Sequence, residues 1–168
     1  MGLEVLGGAL VFVGFVLVIN GLWLLNKVEA KDAAAINLFA GIATFTSAYY
    51  NLVVLREPGA IAWAQSLLFS FTYLWIFLNV IRNVTDQRAL GWYCLMVAIT
   101  AVISGVLTPR TGIGLMYLTF LWFEWAALWG SFWVLFVLGK GTKPIAYFTI
   151  ISAVLTYIPA FPYMLGIW

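Results

Sequence analysis

Histidine is absent from the 168 residues, cysteine occurs once, and charge is scarce, with eight Lys and Arg against six Asp and Glu. Without histidine the usual nitrogen ligands for zinc, copper or haem are missing, and Cys94 alone can form neither a thiolate pair nor an internal disulfide. The residues therefore imply no metal and no cofactor. A net charge of +2, carried by basic residues scattered through short connectors, gives no footprint for nucleic acid. Soluble domains carry charge on about a quarter of their residues; here the share is 8%, which leaves no room for a soluble catalytic domain. A basic leader and a small-residue cleavage pattern are also missing at the N-terminus, which carries Glu4, so the first apolar run is read as a retained span.

What remains is apolar: 65% of the residues are hydrophobic and the mean hydropathy is +1.06. Runs of about 20 such residues cross a hydrocarbon core of ~30 Å as helices. Breakers and hydropathy predict six spans, near 3–25, 33–55, 61–81, 89–107, 113–138 and 144–167. The first, third and fifth connectors hold Lys27, Lys31, Arg82, Arg88, Lys140 and Lys143, whereas the second and fourth hold only Arg56 and Arg110. Because Lys and Arg resist translocation, the odd connectors are expected in the cytoplasm and both termini outside. Short connectors make consecutive helices antiparallel neighbours, which predicts three hairpins. The expected fold is an all-α membrane protein, a six-transmembrane-helix bundle forming one domain over 1–168. On its first helix Gly7, Gly14 and Gly21 recur every seven residues and mark a face for close helix packing.

Glu124 is the only ionisable side chain deep inside a span, where a carboxylate costs several kcal/mol unless paired, protonated or hydrated. On the same helix Trp122, Trp125, Trp129 and Trp133 fall within an arc of about 80°, with Glu124 almost opposite. Both cannot line one narrow lumen. If the tryptophans face a passage, Glu124 faces a neighbouring helix or subunit and exchanges hydrogen bonds with hydroxyl or indole groups. Structural bracing and a transport role both remain open to it. The tryptophans themselves suit either a packed core or a passage wall.

The third helix favours the wall. Phe69 and Tyr73 lie four residues apart and share a broad face with Gln65, Ser66 and Thr72, an apolar surface with polar marks. On the first helix Leu10, Val13, Leu17 and Asn20 fall on one side; Asn20, Asn37, Asn51 and Asn79 are read first as interhelical glue. Such walls suit a small, planar, uncharged solute: ions are refused in a low-dielectric passage, and aromatic faces stack on a flat amide. An enzyme is not expected, since neither Cys94 nor any serine has a histidine to serve as its base.

Several segments carry a resemblance to a known family. Gly14-Phe15-Val16-Leu17-Val18-Ile19-Asn20-Gly21, Asn26-Lys27-Val28-Glu29 and Asn37-Leu38-Phe39-Ala40-Gly41 resemble the opening of the AmiS/UreI urea and amide channels. Phe69-Ser70-Phe71-Thr72-Tyr73-Leu74, Leu128-Trp129-Gly130-Ser131-Phe132-Trp133 and Leu155-Thr156-Tyr157-Ile158-Pro159-Ala160 resemble its third-helix, paired-tryptophan and last-helix segments, in the family's order. The resemblance implies a six-helix protomer with its own pore, a homo-hexamer among the lipids of a bacterial cytoplasmic (inner) membrane, and passive passage of urea or short-chain amides. It implies a pore lined by Leu10, Val13, Leu17, Phe69, Tyr73, Trp129 and Trp133. It leaves open whether a cytoplasmic urease or amidase works beside the channel, and whether Glu124 instead drives a proton-coupled small-amide transporter. Two departures stand out. The acid-gated member uses periplasmic histidines and long external loops, which this chain lacks, so histidine gating is not expected; and that member's last-helix carboxylate aligns near Ser152, with Glu124 matching no family carboxylate.

Overall fold

The computed structural model describes the chain from Leu3 to Trp168, the side chains of Glu57 and Pro58 excepted. It is helical throughout: α1 (Leu3–Leu24), α2 (Ala30–Val53), α3 (Glu57–Ile81), α4 (Arg88–Leu107), α5 (Gly112–Leu138), α6 (Thr142–Tyr157) and a short α7 (Ala160–Met164). Asn26 and Asn83 end α1 and α3 at φ 55° and 53°, the left-handed conformation that asparagine tolerates, and Gly139 does the same after α5 at φ 65°.

Among the described residues, five stretches are long and apolar enough to cross a membrane, Thr142–Met164 counting as one. The exception among the long helices is α2, and its burial pattern explains why. It turns Asn37, Thr44, Ser47 and Asn51 inward with small residues around them, and exposes Phe39, Ile42, Phe45 and Tyr49. Part of what lowers its mean hydropathy therefore faces the protein interior, and its outer face is largely apolar beyond the first turn, where Lys31 and Asp32 are exposed.

Neighbouring helices in sequence touch, and α1 closes the ring against α6 and α7. The consecutive contacts expected from short connectors are present, but they are unequal. The most intimate pairs are α2 with α3, α4 with α5, and α1 with α6, one step out of register with hairpins counted from the N-terminus. Small residues decide which pairs close up, since membrane helices gain stability from close packing of backbones. A Cβ at Gly21 would lie 2.9 Å from the Ala146 carbonyl, one at Gly41 2.6 Å from the Leu74 side chain, and one at Gly91 2.6 Å from that of Val137. The seven-residue glycine row of α1 thus faces α6 and α7, with Tyr157 3.0 Å from the Gly14 position and the Ala160 carbonyl 2.5 Å from that at Gly7.

The last span is broken, where one helix is expected over 144–167. Pro159 has no N–H for the Leu155 carbonyl, and in a continuous helix its ring would clash with that carbonyl. The released carbonyl accepts the Tyr117 hydroxyl at 3.1 Å, so the break is satisfied from α5. After it, α7 packs on α1, and Tyr163, fully buried, donates its hydroxyl to the Gly114 carbonyl at 2.8 Å.

Candidate functional site

Three cavities follow one another along the bundle. The first, about 50 Å³, lies near the N-terminal ends of α1, α3 and α5, between an apolar wall of Leu6, Leu10, Val13, Leu118 and Trp122 and a polar one of Thr44, Ser47, Asn51, Gln65 and Ser66. The second, about 10 Å³, sits among Leu17, Thr72, Tyr73, Cys94 and Trp129. The third, about 150 Å³, reaches Trp23, Leu24, Gln87 and Leu90 at the opposite end. A water needs about 10–15 Å³ of such room, so the middle cavity has space for about one molecule of that size.

The lining follows a rule that six-residue segments do not reveal. On α5 it runs Leu118, Trp122, Trp125, Trp129, Phe132, Phe136, in alternating steps of four and three. The same spacing runs through Leu6, Leu10, Val13, Leu17, Asn20 and Leu24 on α1, with Ala9 and Trp23 beside it, and through Ala62, Gln65, Phe69, Thr72 and Ile76 on α3, with Ser66 and Tyr73 beside it. A stripe repeating every seven residues drifts around a straight helix, and helices that keep it facing one axis wind about each other with a left-handed twist.

Between the first two cavities the aromatic side chains interlock. The Phe69 ring is 4.9 Å from that of Trp129 at 87° and 5.0 Å from that of Trp125 at 68°, with Trp122 at 5.8 Å. The first two are edge-to-face, placing ring hydrogens against neighbouring π-faces, and the third is tilted at 35°, so Phe69 is fixed by three rings. The indoles are tethered as well: Trp129 donates to the Thr72 hydroxyl at 3.2 Å, and Trp125 to that of Thr156 at 2.9 Å. Tyr73 lies 6.4 Å from Trp129 and is 1% exposed, and its hydroxyl has no partner.

Leu10, Val13, Leu17, Phe69, Tyr73 and Trp129 are thus brought together around the cavities, and Trp133 is not. Its ring packs 5.9 Å from that of Trp92 on α4, and it lines none of the three cavities. The step from Trp125 to Trp129 is already four residues; a second step of four, to Trp133, turns the side chain off the stripe, and Phe132 and Phe136 occupy its place. Alternate spacing was the signal that would have found Phe132, Phe136 and Ile76. Cys94 carried none, because a lone cysteine in an apolar helix resembles any small core residue.

Glu124 faces α6, where it accepts a hydrogen bond from the Ser152 hydroxyl, and its second oxygen is buried without a partner. It lies outside the lining of all three cavities. Among the asparagines, Asn20 and Asn37 exchange amide hydrogen bonds of 3.2 and 2.7 Å and join α1 to α2, and Asn79 donates to Gln87 at 2.7 Å. Asn20 also lines the second and third cavities, and Asn51 lines the first.

Comparison with known proteins extends the picture. The acid-activated urea channel of Helicobacter pylori strain J99 is 28% identical, with 97% of this chain and 99% of that protein covered. A protein named as an amidate substrates transporter of Mycolicibacterium smegmatis is 32% identical over 96% of this chain and 78% of its own length. The crystal structure of the Helicobacter pylori urea channel superposes with a TM-score of 0.83 at 30% identity, covering 97% of this chain and 99% of that one. The cryo-EM structure of that channel in its closed state superposes with a TM-score of 0.82 at 27% identity, with the same coverage. The pattern of the AmiS/UreI family transporters matches residues 5–167. With five apolar membrane-length helices, a seven-residue lining stripe and that match over nearly its whole length, the chain belongs to the AmiS/UreI family of transporters, multi-pass proteins of the bacterial cytoplasmic membrane, and is not an enzyme.

Proposed function

We propose that the chain is a passive channel for urea and short-chain amides, with a separate passage through each protomer between α1, α3 and α5. The observation that carries this reading is the row of cavities, about 50, 10 and 150 Å³, with its narrowest point at Trp129 and Tyr73. Interlocked aromatic rings with few polar atoms accommodate a flat neutral solute and impose on an ion the full cost of leaving water. Sparse polar groups bind weakly, which favours throughput. The names of the relatives, a urea channel and an amidate transporter, point to the same solutes.

In this reading the whole chain is one domain and α2 is a sixth span, its polar residues turned from lipid. Both termini and the first cavity lie outside, and the third cavity opens beside the basic connectors in the cytoplasm. The exposed apolar faces, with Phe39, Ile42 and Phe45 on α2 and Met96, Ile99 and Ile103 on α4, serve lipid and neighbouring copies in a homo-hexamer. A cytoplasmic urease or amidase would consume what enters.

A proton-coupled transporter working through Glu124 is the second reading, favoured by its unpartnered buried oxygen and opposed by its place behind the cavity wall. Stopped-flow flux of urea and acetamide into proteoliposomes separates the two. The channel reading expects non-saturating flux that is the same with and without a proton gradient, and that persists in Glu124→Gln. Uptake that collapses with the gradient, and in that variant, would assign the second.

A further inference from the structure

Most hydroxyls in this bundle are spent on the helix that carries them. Thr44 donates to the Ala40 carbonyl, Thr46 to Ile42, Thr72 to Leu68, Thr119 to Leu115 and Thr149 to Ile145, each at 2.7 to 2.9 Å. Ser70 and Ser152 reach across to a neighbouring helix instead. Ser47 does neither. It is 3% exposed, its oxygen has no hydrogen-bond partner, and it lines the first cavity. A buried hydroxyl left unmatched is costly, and where it faces a cavity its partner is whatever occupies that cavity.

Gln65 stands on the same polar wall and is held in one orientation. Its Nε2 donates to the Ser104 hydroxyl at 2.9 Å, and Ser104 in turn donates to the Thr100 carbonyl at 2.8 Å. With the NH₂ end engaged on α4, the carbonyl end is left to accept. The polar wall therefore offers a fixed acceptor from Gln65 and a free hydroxyl from Ser47, opposite the apolar wall of Leu10 and Trp122.

We infer that this first chamber is a recognition site for the edge of a primary amide or urea, the edge that carries a carbonyl oxygen beside an N–H. The Ser47 hydroxyl donates to the solute carbonyl, and the Gln65 carbonyl accepts the adjacent N–H. The solute's other edge rests on Leu10 and Trp122. It thus sheds its water on one side, in one orientation, before meeting Tyr73 and Trp129. The inference rests on the channel reading and adds a residue basis for its solute class. A site that presents both an acceptor and a donor rejects a solute lacking either, since one of its own groups is then left unmatched.

The test compares wild type with Ser47→Ala, Gln65→Leu and Ser104→Ala in proteoliposomes, recording acetamide, urea and osmotic water permeability on the same preparations. The inference expects amide flux to fall roughly three- to tenfold in Ser47→Ala and Gln65→Leu with water permeability unchanged. Ser104→Ala, which frees the Gln65 amide without altering the chamber wall, is expected to give a smaller fall in the same direction. Unchanged amide flux in a conducting set of variants would overturn the recognition site alone, and so would a parallel loss of amide and water permeability, which signals a narrowed passage. Wild type indistinguishable from empty liposomes would overturn the channel reading and the site with it.

Discussion

Cys94 is the sole thiol of the sequence, and it lies on the wall of the smallest cavity beside Trp129. A mercurial bound there would fill a space of about 10 Å³. On the channel reading, amide flux through the wild-type protein is expected to fall toward that of empty liposomes on mercury treatment, and to recover with excess thiol. Cys94→Ser, a near-isosteric change, should conduct and ignore the reagent; a mercury response that persists in it would place the passage elsewhere. Glu124 tests a different property. Its contact with Ser152 needs an acceptor and not a charge. Glu124→Gln should therefore melt close to wild type, whereas Glu124→Leu, which leaves the Ser152 hydroxyl unmatched, should lose about 1–3 kcal/mol in thermal or denaturant unfolding. At this scale the sequence was informative in proportion to chemical oddity. A carboxylate, opposite a tryptophan row, identified its own direction; Ser47 and Cys94, unremarkable by type, became visible only from what surrounds them.

Among the helices, glycine placement decides which pairs close, and two positions separate that effect from intrinsic helix preference. At Gly21 a new Cβ would meet Ile150 at 2.5 Å and the Ala146 carbonyl at 2.9 Å, so Gly21→Val should force α6 away from α1 and lower the melting temperature markedly. At Gly8 nothing lies within 4 Å, and Gly8→Ala should be neutral, or stabilising by up to about 1 kcal/mol from helix preference. Equal melting temperatures for the two variants would refute this account of the α1–α6 contact. The seven-residue glycine row was legible because three identical small residues at fixed spacing are hard to miss. That α2–α3 and α4–α5 would be the tightest of the consecutive pairs was not, since single glycines such as Gly41 and Gly91 reveal a close approach without naming the partner. Pro159 marked the break in the last span, yet the rescue of its stranded carbonyl by Tyr117 depends on a residue far away in the chain.

For the molecule as a whole, the ionisable groups decide how it responds to pH. Asp86, in the connector before α4, is held down to about 2 from an ordinary 3.8, chiefly by the Arg88 side chain that grips it at 2.6 Å. A carboxyl whose folded value is depressed contributes stability above its unfolded value and loses it as pH falls toward the folded one, so this contact weakens only in strong acid, between 3.8 and about 2. With no histidine anywhere, flux and melting temperature are both expected to be flat from mildly acidic to mildly alkaline pH; a step in either near neutrality would require a titrating group in the membrane interior, with Glu124 the first to examine.

The three- and four-residue steps along α1, α3 and α5 also give the proposed passage a unit of length. Adding a single residue to one of these helices would rotate everything beyond it by about 100° and trade lining for lipid-facing side chains. Adding seven to each would restore the register and extend the bore by about 10 Å. Tolerance of insertions should therefore be quantised in sevens, and a library of inserted lengths, selected only for conduction, would read out the pitch of the bundle.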